Sequence, residues 1–145
     1  MIAAQFKSAV PAAVVTQVPT DETILGLCGA RLAMVFERLG MPEDLRASGD
    51  KDGGVDLDYG AFGLKIKNKI VTACFFWREW QGPVRGIKIG DSKEQVVKIL
   101  GKHTNVFKYA DGVEDYGWNL KKENSILWAY FDKDGRVKKI TAELN

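Results

Sequence analysis

The side chains able to carry chemistry are few: a single histidine, His103, two cysteines, Cys28 and Cys74, and a run of carboxylates at Asp50, Asp52, Asp56 and Asp58. Nucleophilic catalysis needs a thiol or hydroxyl within hydrogen-bond reach of a base, and a third group that orients the base. Neither cysteine has a histidine and a carboxylate at such local spacing, so no catalytic residue is assigned. His103 follows Leu100-Gly101, where a helix C-terminus would stabilise an imidazolium, and a solvated cap is a better reading than catalysis. The carboxylate run lacks the terminal glutamate of a calcium loop and contains Lys51. Asp56 and Asp58 share a strand face, which would permit a paired-carboxylate site, but a turn with solvated carboxylates is much the better reading. One histidine and two distant cysteines make no tetrahedral zinc motif. Gly26, Gly29 and residues 60–63 lack the strand-to-helix fingerprint of a phosphate loop. The expectation is a protein that is not an enzyme and holds no cofactor or metal.

The aromatic residues have more to offer. Trp128 and Tyr130 occupy alternate positions of one apolar run, Trp77, Arg78 and Trp80 precede a Gly82-Pro83 junction, and Trp118 and Phe76 lie in other strand-like segments. Aromatic side chains supply large contact area with little rotamer loss, and interface hot spots favour Trp, Tyr and Arg. The expected function is non-enzymatic protein binding, of an inhibitor or immunity type, by steric occupation through an open sheet face. Its candidate residues are Trp128, Tyr130, Phe76, Trp118, Trp77, Trp80 and Arg78. Burial inside the protein is the competing reading, strongest for Trp118. The alternatives are a small-ligand pocket between two units, a homodimer that buries its own aromatic face, and a small hydrolase without a recognisable motif.

Positioning those residues calls for two similar units, because parts of the chain read twice. Leu32, Val35, Phe36 and Leu39, closed by Gly40 and Pro42, are answered by Val96, Val97, Leu100 and Gly101. Asp58-Tyr59-Gly60 is answered by Asp115-Tyr116-Gly117, and residues 68–75 by 124–131. The spacing of apolar residues predicts a helix over residues 29–39 and a second, capped by Asp91 or Ser92, to about residue 100. Short strands are predicted at 55–59, 62–66, 70–77, 105–109, 115–120, 125–131 and 136–143, with an extended arm at 12–18. Alternation puts Val71, Ala73 and Phe75 on one face with Leu127, Ala129 and Phe131, packed against the helices. Thr72, Cys74 and Phe76, and likewise Ile126, Trp128 and Tyr130, fall on the other face. The expected fold class is α+β: a tandem repeat of a helical segment packed on a short antiparallel sheet, the two sheets joined, divided into residues 1–84 and 85–145.

Composition sets the outer limits. With 145 residues and 46% hydrophobic content the chain can bury a sizeable core. Lysine plus arginine total 21 against 19 acidic residues, and a net charge of +2 with interspersed signs gives no basic stripe for nucleic acid. Lys65, Lys67 and Lys69 read as a solvated hairpin edge. Cys28 and Cys74 sit in apolar segments and read as buried thiols, able to pair only if the fold brings them face to face. No run has the length of a membrane span, and the first twenty residues lack the charged start and unbroken apolar stretch of a secretory signal. The expected location is cytoplasmic, with export of a processed form left open.

The segment 87–101, with Trp118, Trp128-Ala129-Tyr130-Phe131 and Asp134-Gly135-Arg136-Val137, resembles the small outer-membrane lipoprotein module SmpA/OmlA. The tandem form of that module is similar to the β-lactamase inhibitory protein fold, and the resemblance covers residues 26–76 and 86–140. It implies a binding sheet whose open face grips a partner protein, with Trp128 and Tyr130 on that face, joined by Trp118 and Phe76. The chain departs from the lipoprotein pattern in having no lipobox cysteine. It departs from the secreted inhibitor in having no evident leader and no cysteine pair within each unit, which bears on location and target rather than on fold.

Overall fold

Helix formation is brief and locally specified. In the computed structural model, residues 19–49 and 53–145 are described; the expected arm at 12–18, and Asp50 and Asp52, lie outside them. Thr20 caps α1 (Asp21–Leu25) by accepting from the Thr23 amide. The apolar stripe noted above forms α2 (Leu32–Leu39), and Gly40, at φ 73°, ends it in a conformation that a side chain would resist. In α3 (Lys93–Leu100), Ser92 and Gln95 complete a reciprocal capping box and Gly101 ends the helix at φ 84°. Helices of one or two turns are not stable alone in water. These persist by burying Ile24, Leu25, Val35, Leu39 and Val96 in the core shared with the sheet.

The rest is strand: β1 (Asp44–Ala47), β2 (Val55–Asp58), β3 (Phe62–Lys67), β4 (Ile70–Phe76), β5 (Asn105–Lys108), β6 (Glu114–Leu120), β7 (Ser125–Phe131) and β8 (Val137–Leu144). They form one eight-stranded sheet in the order β1-β2-β3-β4-β8-β7-β6-β5, and every neighbouring pair is antiparallel.

The expected class, a tandem α+β repeat of helices packed on short sheets, is corrected by this architecture. A single sheet dominates, and the three helices among the described residues have only five, eight and eight residues. The first long helix fails to start at residue 29 because Gly29 sits at φ +87° and Arg31 is extended, bridging Ile70 antiparallel. β1 carries no apolar alternation and all four of its residues are exposed. Pairing with β2 makes it a strand, and its own side-chain pattern does not.

A β-bulge decides which side chains face which way. Lys65 pairs with Ala73 and Ile66 with Val71, so Thr72 is an extra residue in β4. The bulge flips the alternation, and Val71, Cys74 and Phe76 are all fully buried while Phe75 is half-buried on the other side. The expected grouping of Phe75 with the helix-facing residues is therefore corrected. Register across β4, β8 and β7 aligns Cys74 with Ala142 and Leu127, and Phe76 with Ile140 and Ala129. This is the face whose side chains join the helices in one apolar core.

Candidate functional site: the open face of the sheet

The opposite face carries a band of aromatic residues laid out by register. One row crosses five strands: Gly63, Phe75, Thr141, Trp128 and Gly117. The next holds Lys139, Tyr130, Asp115 and Phe107. Strict alternation in β7 buries Leu127, Ala129 and Phe131 and leaves Ile126, Trp128 and Tyr130 half-buried on the open side.

Two glycines make room for two tryptophans. A Cβ at Gly117 would stand 3.1 Å from Cε3 and Cζ3 of Trp128, and one at Gly63 only 2.4 Å from Cη2 of Trp77. Glycine inside a strand commonly marks a close approach of this kind. Trp77 also stacks on Phe75, with ring centroids 6.3 Å apart and planes 9° from parallel. The indoles thus lie along the sheet, offering broad apolar area at little entropic cost.

Polar groups punctuate the band. Lys139 Nζ lies 4.4 Å from the Tyr130 ring centroid, a cation–π contact. The Tyr109 hydroxyl donates to Asp115 Oδ2 at 2.6 Å, and Phe107 meets Tyr109 edge-on at 4.8 Å. Phe107 is 55% exposed, so the β5 end of the band is open to solvent. The hydrogen bond to Asp115 pushes the Tyr109 phenol up to about 12, with burial adding to it. Burial raises the Asp115 carboxyl above the usual carboxylate range, against the opposing pull of Tyr109. It likewise raises the Tyr130 phenol. The band is thus apolar area with a few oriented polar groups.

Of the residues singled out in the sequence, Trp128, Tyr130 and Trp77 share this face. Arg78 is exposed just beyond Trp77. Phe76 is fully buried on the helix side. Trp80 is buried there too, edge-on to Phe62 at 5.8 Å and Phe76 at 5.0 Å. Trp118 is 6% exposed, its Nε1 donating to the Gly101 carbonyl at 3.0 Å. Sequence reasoning missed Phe75, Phe107 and Tyr109. Alternation in 105–109 and the mid-strand position of Gly117 were available signals for the β5 end.

The other chemical candidates sit in structural surroundings and do not converge on one another. His103, expected as a solvated cap, is half-buried and stacks on Tyr116 at 4.0 Å with planes 14° apart. Asp58 accepts from Arg46 and from the Gly60 amide, while Asp56 sits opposite Arg46 and Lys65 in the ladder with its Oδ1 buried and without a hydrogen-bond partner, and burial raises its carboxyl against the pull of Arg46. Among the described residues, no three His, Cys, Asp or Glu side chains gather as a metal site, and no helix is long and apolar enough to cross a membrane. A shallow groove of about 510 Å³ lies between the start of α2 and the β3–β4 turn, lined by Arg31, Leu32, Phe36, Lys69 and Ile70 among others.

The sheet-dominated fold is shared with known structures. No family model matches the chain, and no curated protein matches it. The chain is similar to an extracellular protein containing a SCP domain from Bacillus anthracis str. Ames, with TM-score 0.61 and 15% identity over 90% of this chain and 49% of that one. It therefore spans about half the length of that protein. It is also similar to a DUF4309 family protein, YjgB, from Bacillus subtilis subsp. subtilis str. 168, with TM-score 0.60 and 15% identity over 99% of this chain and 95% of that one. A Streptococcus mutans protein provisionally named a beta-lactamase inhibitor protein matches at TM-score 0.33 and 16% identity, over 78% of this chain and 82% of that one. A likeness of that size carries no argument, and the first two concern the fold alone.

Proposed function

We propose that the chain is a non-enzymatic protein-binding module whose working surface is the face of the sheet opposite the apolar core. The observation that carries this reading is the band formed by Trp77, Phe75, Trp128 and Tyr130 on the side of the sheet away from the core. Half-buried aromatic area of this kind, flanked by Lys139 and Glu143 and running out to the exposed Phe107, matches the composition of a protein interface core and its polar rim. Its action is steric: a partner surface is covered, and no bond is made or broken. An inhibitor or immunity role is the specific form of that action, consistent with the family resemblance of the sequence.

The test compares wild type with a Trp128→Ala, Tyr130→Ala variant, after circular dichroism and thermal melting establish that the variant is folded. Both are immobilised and exposed to lysate from the source cells, and bound proteins are identified by mass. A stoichiometric protein retained by wild type and lost by the folded variant supports the reading. Equal retention by both contradicts it. Sedimentation of wild type alone distinguishes a foreign partner from a second copy. The groove beside α2 favours a second reading, a small ligand, which predicts capture unaffected by the face variant and loss of ligand binding on Phe36→Ala.

A further inference from the structure

We propose that Cys28 and Cys74 form an intrachain disulfide by exchange with a low-molecular-weight disulfide such as oxidised glutathione, fastening the segment after α1 onto the sheet. The two sulfurs, 46 residues apart in the chain, lie 3.5 Å from one another. A disulfide bond is about 2.05 Å long, so the sulfurs need to close by about 1.5 Å, within the reach of side-chain rotation.

The backbone on both sides is already held. Cys28 lies in the turn that follows α1, and the next residues pair with β4: the Gly29 amide donates to the Val71 carbonyl at 2.8 Å, and the Val71 amide to the Ala30 carbonyl at 2.9 Å. Cys74 is fixed in the sheet between Leu64 and Ala142. Its thiol lies 3.4 Å from the Ile24 carbonyl in α1, and the Cys28 thiol 3.8 Å from the Ala142 carbonyl. Bond formation therefore joins two elements that already touch.

The pair is asymmetric, which assigns an order to the exchange. Cys28 is half-buried and Cys74 has no exposed surface, so a reagent reaches Cys28 first. The hydrogen bond from the Cys74 thiol lowers the Cys28 thiol below its ordinary range, against burial and the charges of Glu123 and Glu143. That same bond, with burial, holds the Cys74 thiol well above its range. The thiolate is the attacking species in exchange. Cys28 thiolate attacks one sulfur of the glutathione disulfide, forming a protein–glutathione bond and releasing one glutathione thiolate. Cys74 then gives its proton to solvent and attacks Cys28 Sγ, releasing the second glutathione thiolate. Two protein thiols are oxidised and one glutathione disulfide is reduced to two thiols. The bridge forms on the core side of the sheet and leaves the aromatic face untouched.

The test uses the full chain treated with oxidised glutathione and read by intact mass, free-thiol titration and peptide mapping. Wild type is expected to lose two hydrogens and both thiols, to give a linked peptide joining residues 28 and 74, and to melt on the order of 10 °C higher. Cys74→Ser is expected to stop as a single glutathione adduct on Cys28, and Cys28→Ser to stay unmodified under the same conditions. Wild type that keeps both thiols, or that accumulates a stable glutathione adduct or an interchain dimer, overturns the proposal without reference to either variant's folding. None of these readouts depends on the binding role of the opposite face.

Discussion

Trp128 lies across Gly117 of the neighbouring strand, close enough that a Cβ there would stand 3.1 Å from two atoms of the indole ring. Trp77 stands over Gly63 more tightly still, and there a Cβ would also meet the Leu57 carbonyl oxygen at 2.9 Å. An indole ring can move a few tenths of an ångström, whereas strand backbone cannot. Gly63→Ala should therefore cost about 1–3 kcal/mol in urea unfolding, and Gly117→Ala distinctly less. Equal losses would mean that the two rings are not held as described.

Arg85 ties together parts of the chain that no strand pairing joins. Its amide donates to Asp21 Oδ2 at 2.8 Å, its Nε lies 2.7 Å from Glu22, and its guanidinium also pairs with Glu123. Arg85 and Glu123 are mostly shielded from solvent, at 26% and 13% side-chain exposure. Arg85→Met keeps the stem and the amide hydrogen bond to Asp21 but removes the guanidinium donors to Glu22 and Glu123, and should cost on the order of 1–3 kcal/mol. A loss no larger than that of an exposed surface pair, below about 1 kcal/mol, would contradict the bracing role.

Two phenols make the alkaline limb of stability specific. Tyr59 donates to the Gly40 carbonyl at 2.9 Å, and burial pushes its ionisation up; Tyr109 is pushed up to about 12, chiefly by Asp115. Both lie above the unfolded value of about 10, so the folded state holds these protons longer. Their contribution is intact below pH about 10 and is lost as pH rises above it, that of Tyr109 through about 12 and that of Tyr59 at higher pH still. Chemical denaturation from pH 8 upward should show wild type losing stability in that window. Tyr59→Phe should start about 1 kcal/mol lower and decline less steeply. Parallel declines would remove Tyr59 from the account.

The capping box at α3 is a local test. Ser92 accepts from the Gln95 amide at 3.2 Å, and Gln95 Oε1 accepts from the Ser92 amide at 3.0 Å. Ser92→Ala should cost about 1 kcal/mol by thermal melting. No measurable change would mean that α3 is held entirely by its packing.

How far the sequence reveals this molecule depends on how local each determinant is. Trp128 and Tyr130 were readable because β7 alternates without interruption. Phe75 and Phe76 were not, because the extra residue Thr72 reverses the alternation, and a bulge is set by pairing with β3. The cap at Ser92 and the stops at Gly40 and Gly101 were legible as short-range chemistry. β1, with four exposed residues, exists only through its neighbour. The approach of Cys28 to Cys74 and the burial of Trp80 are tertiary facts with no trace in spacing. One sheet dominates because β4 and β8 pair and join all eight strands, while the three helices among the described residues run to only five, eight and eight residues.

Contact between the aromatic face and a protein can be read by site-specific photo-cross-linking in the source cells. A benzophenone amino acid at position 130 samples the open face. The same group at position 34 samples α2, where Met34 is 42% exposed. A discrete protein adduct is expected from position 130, competed by added wild type and absent from position 34. No adduct at position 130, or the same adducts from both positions, would contradict that contact.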